Sequence, residues 1–179
     1  MLEPRLITMS DPLSDLLRVT QGKVDLGAID SAGTPGFVGA KVEGTAALAE
    51  IGPILADLQE RLFAGAYTEE SNRRILVILQ GMDTSGKGGV LKHVIGLMHP
   101  NAIALTSFKK PTAEESRHDF LWRIDKALPE PGIVGVFDRS HYEDVLVARV
   151  HELADGAEIE RRHDAINQWE QALVDDGCA

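Results

Sequence analysis

Apolar positions along this chain follow two rhythms. From Thr45 onward, Leu48, Ile51, Leu55, Leu58 and Leu62 alternate spacings of three and four, which predicts an amphipathic helix. Pro53 lies inside that stripe, without a backbone donor and crowding the turn before it, so the pattern predicts a kink or two consecutive helices. The stripe reads as core or subunit packing. Farther on, Ile75–Leu79 (ILVIL) is a short continuous apolar run, the pattern of a strand covered on both faces; Ala102–Ser107 and Ile133–Phe137 read as two more strands. Helical spacing returns between them, at Val90, Leu91, Val94, Ile95 and Met98, then at Phe120, Leu121, Ile124 and Leu128. The second of these helices opens at Pro111-Thr112, where Thr112 can cap and Glu115 can complete a capping box. Further helices are predicted over 142–150 and 158–175, the latter with Ile159, Ile166, Trp169 and Leu173 facing inward. Strand alternating with helix predicts an α/β fold with a parallel sheet and right-handed crossovers. Residues 1–44 lack sustained periodicity and are rich in Gly, Asp and Pro, and read as an N-terminal arm ahead of one domain over 45–179.

Composition agrees with a single globular domain: 179 residues, 44% apolar and 26% charged. No apolar run approaches the ~18 residues of a membrane span, and the start is not a basic-then-apolar leader. Cys178, the single cysteine, forms no internal disulfide and alone holds no structural zinc. A soluble, cytoplasmic protein is expected. The net charge of −10 argues against nucleic-acid or anionic-membrane binding. Its distribution adds something: residues 1–70 carry −6, residues 71–126 carry +4 and residues 127–179 carry −8. A basic centre in an acidic chain suggests a local anion site.

That centre holds the motif with the clearest chemistry. GMDTSGKG, Gly81–Gly88, fits G-x-x-x-x-G-K between a predicted strand and a predicted helix. In that setting Gly81, Ser85, Gly86, Gly88 and Gly89 would wrap main-chain amides around phosphate oxygens, and Lys87 would reach the terminal phosphates. Gly88 stands where such loops usually carry the Ser or Thr that ligates magnesium. Asp83 is the candidate replacement as a ligand for Mg2+ or Mn2+; the alternative is that it only makes a turn with its own backbone. Asp138 follows the third apolar strand, at the end where ligands gather in open parallel sheets, and is the second candidate metal ligand. Arg139 could stabilise a transferring phosphoryl group, or could simply pair with Asp138 or a neighbour.

GMDTSGKGG, SFKKPTAEE, HDFLWRID and GVFDRSHYEDVLVARV together resemble the second family of polyphosphate kinases, P-loop enzymes that move phosphate between inorganic polyphosphate and nucleotides. The resemblance covers roughly residues 20–175 and implies a P-loop kinase-like three-layer fold. It assigns Asp83 and Lys87 to the family's loop aspartate and lysine, and Asp138 and Arg139 to its Walker B aspartate and following arginine. It also implies catalysis by these four, with polyphosphate and ADP, GDP or AMP as substrates and a homo-oligomeric assembly. The HDFLWR and HYED patterns resemble members that accept both nucleoside mono- and diphosphates. Lys109, Lys110 and Arg123 are expected to bind phosphate near the crevice; Lys92, Arg117 and Lys126 belong to the same basic segment. For Arg117 and Lys126 a solvated helix face is an equal reading, and for His118 and His141 packing or capping competes with phosphate binding.

Family members continue past the segment that Asp175–Gly177 resembles, into another strand, a basic lid and a C-terminal helix. The resemblance therefore implies a fold truncated at its C-terminus, in which the strand before the P-loop has a bare edge. Two other functions stay open: an ATP-dependent P-loop nucleotide kinase, and a non-catalytic chain that binds polyphosphate or regulates longer subunits.

Overall fold

A computed structural model of the chain describes residues 13–19 and 22–179. The parts of the expected arm at 1–12 and 20–21 lie outside the described residues. The described residues fall into two compact units, divided between Ala49 and Glu50. In the first, helix α1 (Leu13–Leu17) is followed by a 3-10 turn at Leu26–Ala28, where the Asp25 side chain accepts from the Gly27 amide at 3.0 Å.

Helix α2 runs from Lys41 to Tyr67 as one element through Pro53, so two consecutive helices do not form. An interior proline costs a helix about 3 kcal/mol or more through the lost hydrogen bond and the ring's clash with the preceding turn, and the helix continues through it while its inner face is packed. That face is centred on Gly52 and Gln59, both buried, and takes in Leu48, Leu55 and Leu62 of the predicted stripe, whose other two members, Ile51 and Leu58, are each 52% exposed. Gly52 lies 3.4 Å from Leu97 where a Cβ would stand, and the Gln59 carboxamide brackets the His99 backbone with bonds of 3.1 and 2.9 Å.

Three parallel strands form the sheet: β1 (Ile75–Leu79), β2 (Ile103–Ser107) and β3 (Val134–Asp138), in the order β1-β3-β2. β3 is buried on both faces, whereas β1, expected to be covered likewise, is an edge strand and partly exposed, as is β2 on the other edge. Cys178 makes a parallel bridge with Arg74 along the outer side of β1, and the Leu76 amide donates to the Ala179 carbonyl at 2.8 Å. Alternation along the strands sends Val134, Val136 and Val77 to one face, against Leu62 of α2 and Ile95, and sends Phe137, Leu76 and Ile78 to the other, against Ile124 and Trp169. Helices therefore cover both faces, the three-layer arrangement expected of a P-loop kinase. Among the described residues no helix is long and apolar enough to cross a membrane.

The segment after β2 departs from its predicted form. Thr112 and Glu115 do close the capping box, with bonds of 2.6 and 3.2 Å. The turn they start is only a 3-10 piece at Glu115–Arg117, and helix α4 is confined to Trp122–Asp125. His118 is extended and the Asp119 side chain recaptures the chain through the Leu121 amide, so two local caps compete and split one helix into two short ones. Helices α5 (Glu143–Val150) and α6 (Gly156–Asp175) form close to their predicted limits, α6 capped by Asp155 on the Glu158 amide at 2.8 Å.

Candidate active site

In the parallel register, Leu79, Asp138 and Ser107 stand level at the carboxyl ends of β1, β3 and β2. The loop that leaves β1 opens there into helix α3 (Lys87–His93). Gly86 holds φ at +97°, in the left-handed region where glycine is at ease, and Thr84 takes a φ of 67°. A Cβ on Gly81 would stand 2.7 Å from the Ser85 hydroxyl, whereas one on Gly88 or Gly89 would meet nothing within 4 Å. The loop is therefore tight against itself and open on its outer face.

One cavity of about 410 Å3 gathers Asp83, Ser85, Gly86, Lys87, Gly88, Asp138 and Arg139. Gly81 lines an adjoining space of about 420 Å3, with Gln80, Asp83, Arg139 and Glu143. Lys109, Lys110 and Arg123 line a third, of about 640 Å3, to which Arg139 also contributes. Gly89 lines none of the three; its amide donates to the Gly86 carbonyl at 2.8 Å.

Arg139 is the hinge of the arrangement. Its backbone has a φ of 64°, and its amide donates to the Leu79 carbonyl at 3.1 Å. Its guanidinium donates to the Asp83 carboxylate at 3.0 Å and lies 3.7 Å from Glu143. The strand-end pair with Asp138 does not form; Asp138 instead accepts from the Ser107 hydroxyl at 3.1 Å. Asp83 bonds to Arg139 and not to its own turn. With the Asp83 side chain 86% exposed, that pair is worth at most ~1 kcal/mol and separates readily. Lys87 folds back across the loop and donates to the Gly81 and Met82 carbonyls at 2.8 and 2.9 Å.

The remaining candidates are more constrained. Arg123 is buried, donating to the Lys109 carbonyl at 2.7 Å and to Asp144 at 3.3 Å. Burial pushes the Asp144 carboxyl above its ordinary value, and the Arg123 charge opposes that rise. His141 is wholly buried beside Glu170, whereas His118, partly exposed, stacks on Trp122 at 3.9 Å and lies 3.2 Å from Glu114. Lys126 lies over the Trp122 ring and Arg117 pairs with Glu114 at 3.1 Å, as side chains of a solvated face do. The hydrogen bond from His141, and then that from Tyr142, hold the Glu170 carboxyl below its ordinary value against its burial.

Sequence reasoning passed over Gln80, Ser107 and Ser140. Gln80 directly precedes the glycine loop and Ser140 directly follows Arg139, so adjacency was the one signal available for them. Ser107 ends a strand in line with Asp138.

Among the described residues no three His, Cys, Asp or Glu side chains form a ready-made metal cage. The two carboxylates on one cavity suit a smaller demand, because Mg2+ commonly takes one or two carboxylates and fills its shell with water and substrate phosphate.

Residues 40–179 match the family model described as polyphosphate kinase 2. The chain is 37% identical over 156 residues to an AMP/ADP-polyphosphate phosphotransferase of Meiothermus ruber, covering 87% of this chain and 57% of that protein. It is 50% identical over 98 residues to an ADP-polyphosphate phosphotransferase of Rhodopseudomonas palustris, covering 54% and 32% of the two chains. Among solved structures, the polyphosphate kinase 2 of Arthrobacter aurescens TC1 superposes with a TM-score of 0.87 at 52% identity, over 92% of this chain and 58% of that one. The chain thus spans from about a third to somewhat over half the length of these relatives.

Proposed function

The chain belongs to the polyphosphate kinase 2 family, and from that premise we propose that it serves phosphoryl transfer between inorganic polyphosphate and a nucleoside di- or monophosphate such as ADP, GDP or AMP. The observation that carries this reading is the single cavity on which the loop from Asp83 to Gly88, Asp138 and Arg139 converge.

Phosphoryl transfer asks little covalent chemistry of the protein; it asks for alignment and for charge where charge develops. The open face of the loop receives an oligoanion at the Gly86 and Gly88 backbone. Lys87 leaves the two carbonyls it bonds and turns to the incoming phosphate, exchanging neutral acceptors for a charged one. Arg139 is freed from an exposed partner in the same way and lies beside the migrating group. Lys109 and Lys110 extend the positive lining beyond it. Asp83 and Asp138 would hold Mg2+, or Mn2+, whose charge offsets that of the phosphates. The exposed apolar side chains Ile51, Ile54 and Leu58 of α2 support self-association into a homo-oligomer.

Phosphorus NMR tests the reading: the chain, Mg2+, long-chain polyphosphate and each of ADP, GDP and AMP should yield the next higher nucleotide as polyphosphate shortens. A folded chain that makes none refutes it. Turnover with ATP as the phosphate donor, but not with polyphosphate, would replace it with an ATP-dependent nucleotide kinase.

A further inference from the structure

Behind the cavity runs a short relay of side chains that no part of the proposed chemistry uses. The Gln80 carboxamide joins the end of β1 to the turn after β3. Its nitrogen donates to the Glu143 carboxylate at 2.7 Å, and its oxygen accepts from the Ser140 hydroxyl at 3.0 Å. Ser140 is wholly buried, and its hydroxyl oxygen also accepts from the Tyr142 amide at 3.2 Å. These bonds settle which way the amide faces. Turned over, it would press its carbonyl oxygen against a carboxylate. One Glu143 oxygen is thereby committed to Gln80, and the other faces Arg139 at 3.7 Å.

We propose that Gln80 is a positioning residue for phosphoryl transfer, fixing the direction of the Arg139 guanidinium through Glu143 and Ser140. The proposal rests on the function proposed above. Arg139 needs such support. A long side chain on a backbone with a φ of 64° persists only where its surroundings over-determine it. The bond from the Arg139 amide to Leu79 places that constraint one residue from Gln80. The carboxamide can donate to Glu143 and accept from Ser140 without binding a proton, which a carboxyl group of the same size cannot do. A carboxylate there would face the Glu143 carboxylate, and the two would have to share a proton.

The test uses the full chain with labelled arginine, the Arg139 guanidinium signals being assigned by their loss in Arg139→Lys. Rotation of the guanidinium nitrogens should be slower in the parent chain than in Gln80→Leu, with turnover of that variant lowered roughly tenfold at an unchanged KM. Gln80→Glu should keep slow rotation and turnover at mildly acid pH and lose both as pH rises, a dependence the parent lacks. This second variant decides the matter if Gln80→Leu fails to fold. Arg139 signals unchanged in a folded Gln80→Leu, or a Gln80→Glu that follows the parent at every pH, would overturn the proposal. A parent chain that makes no nucleotide refutes the proposed activity, whereas the Arg139 signals still decide the role of Gln80.

Discussion

The guanidinium of Arg139 donates to the carboxylate of Asp83 at 3.0 Å, joining the turn after β3 to the glycine loop after β1 across 56 residues of sequence. The two opposite charges cancel each other at the edge of the cavity that Lys87 and Asp138 also line.

Lys87 and Asp138 face that cavity without supporting the core, so their loss should separate chemistry from folding. Lys87→Ala and Asp138→Asn are each expected to lower nucleotide formation at least about a hundredfold. Thermal melts of both should stay close to the parent. Full turnover in either variant would remove that residue from the site.

Gly88 offers the opposite experiment, an addition. Since a Cβ there meets nothing within 4 Å, Gly88→Ser should fold without strain and gain up to ~0.5 kcal/mol of helix propensity. It restores the hydroxyl usual at this position of P-loops. The expected outcome is an unchanged or higher Tm and a lower half-activating Mg2+ concentration, read from a melt and a metal titration.

The buried polar cluster behind α5 gives a pH signature. The folded-state pKa of Glu170 is depressed below its ordinary 4.5, through its bonds from His141 and Tyr142. Its contribution to stability is therefore present above the unfolded value and lost as pH falls through the folded one. Glu170→Gln should melt below the parent near pH 6, and the gap should close as the pH is taken below 4.5. A gap that stays constant across that range would deny the carboxylate this role.

Packing at the centre of the sheet is tested at Gly135. A Cβ there would lie 2.8 to 3.1 Å from three carbons of the Pro129 ring, which is itself buried and cannot swing aside. Gly135→Ala should cost about 1–3 kcal/mol and lower the Tm by roughly 3–10 °C. The change lies away from the cavity, so turnover of the folded fraction should persist.

Much of this molecule could be read before any coordinates. The runs at Ile75–Leu79 and Ile133–Phe137 marked two strands because continuous apolar stretches bounded by turn residues have few other uses, and the observed strands lie within a residue of them. The loop and Asp138 were legible because phosphate chemistry constrains residue type and spacing together. What escaped was set by tertiary partners. Gln59 gave no sign of being buried, since its burial depends on the His99 backbone of a distant turn. The inward face of α2 keeps Leu48, Leu55 and Leu62 of the apolar stripe but leaves Ile51 and Leu58 outside, because Gly52, with no side chain, is what allows Leu97 to approach. The helix expected after Thr112 broke because Asp119 competes for the same backbone, a contest the apolar spacing does not register. Arg139 carried two readings, and neither anticipated Asp83 as its partner, because sequence separation hides a contact made only through the sheet.

Three separate spaces share one wall, the side chain of Arg139. Whatever enters one of them and draws on that guanidinium alters what is left for the other two, with no shift of the backbone required. Thermodynamic linkage makes such an influence mutual: a first guest that favours a second is favoured by it to the same degree. Affinities measured one ligand at a time on this chain would accordingly understate or overstate those of the filled site, by the coupling that a single arginine transmits.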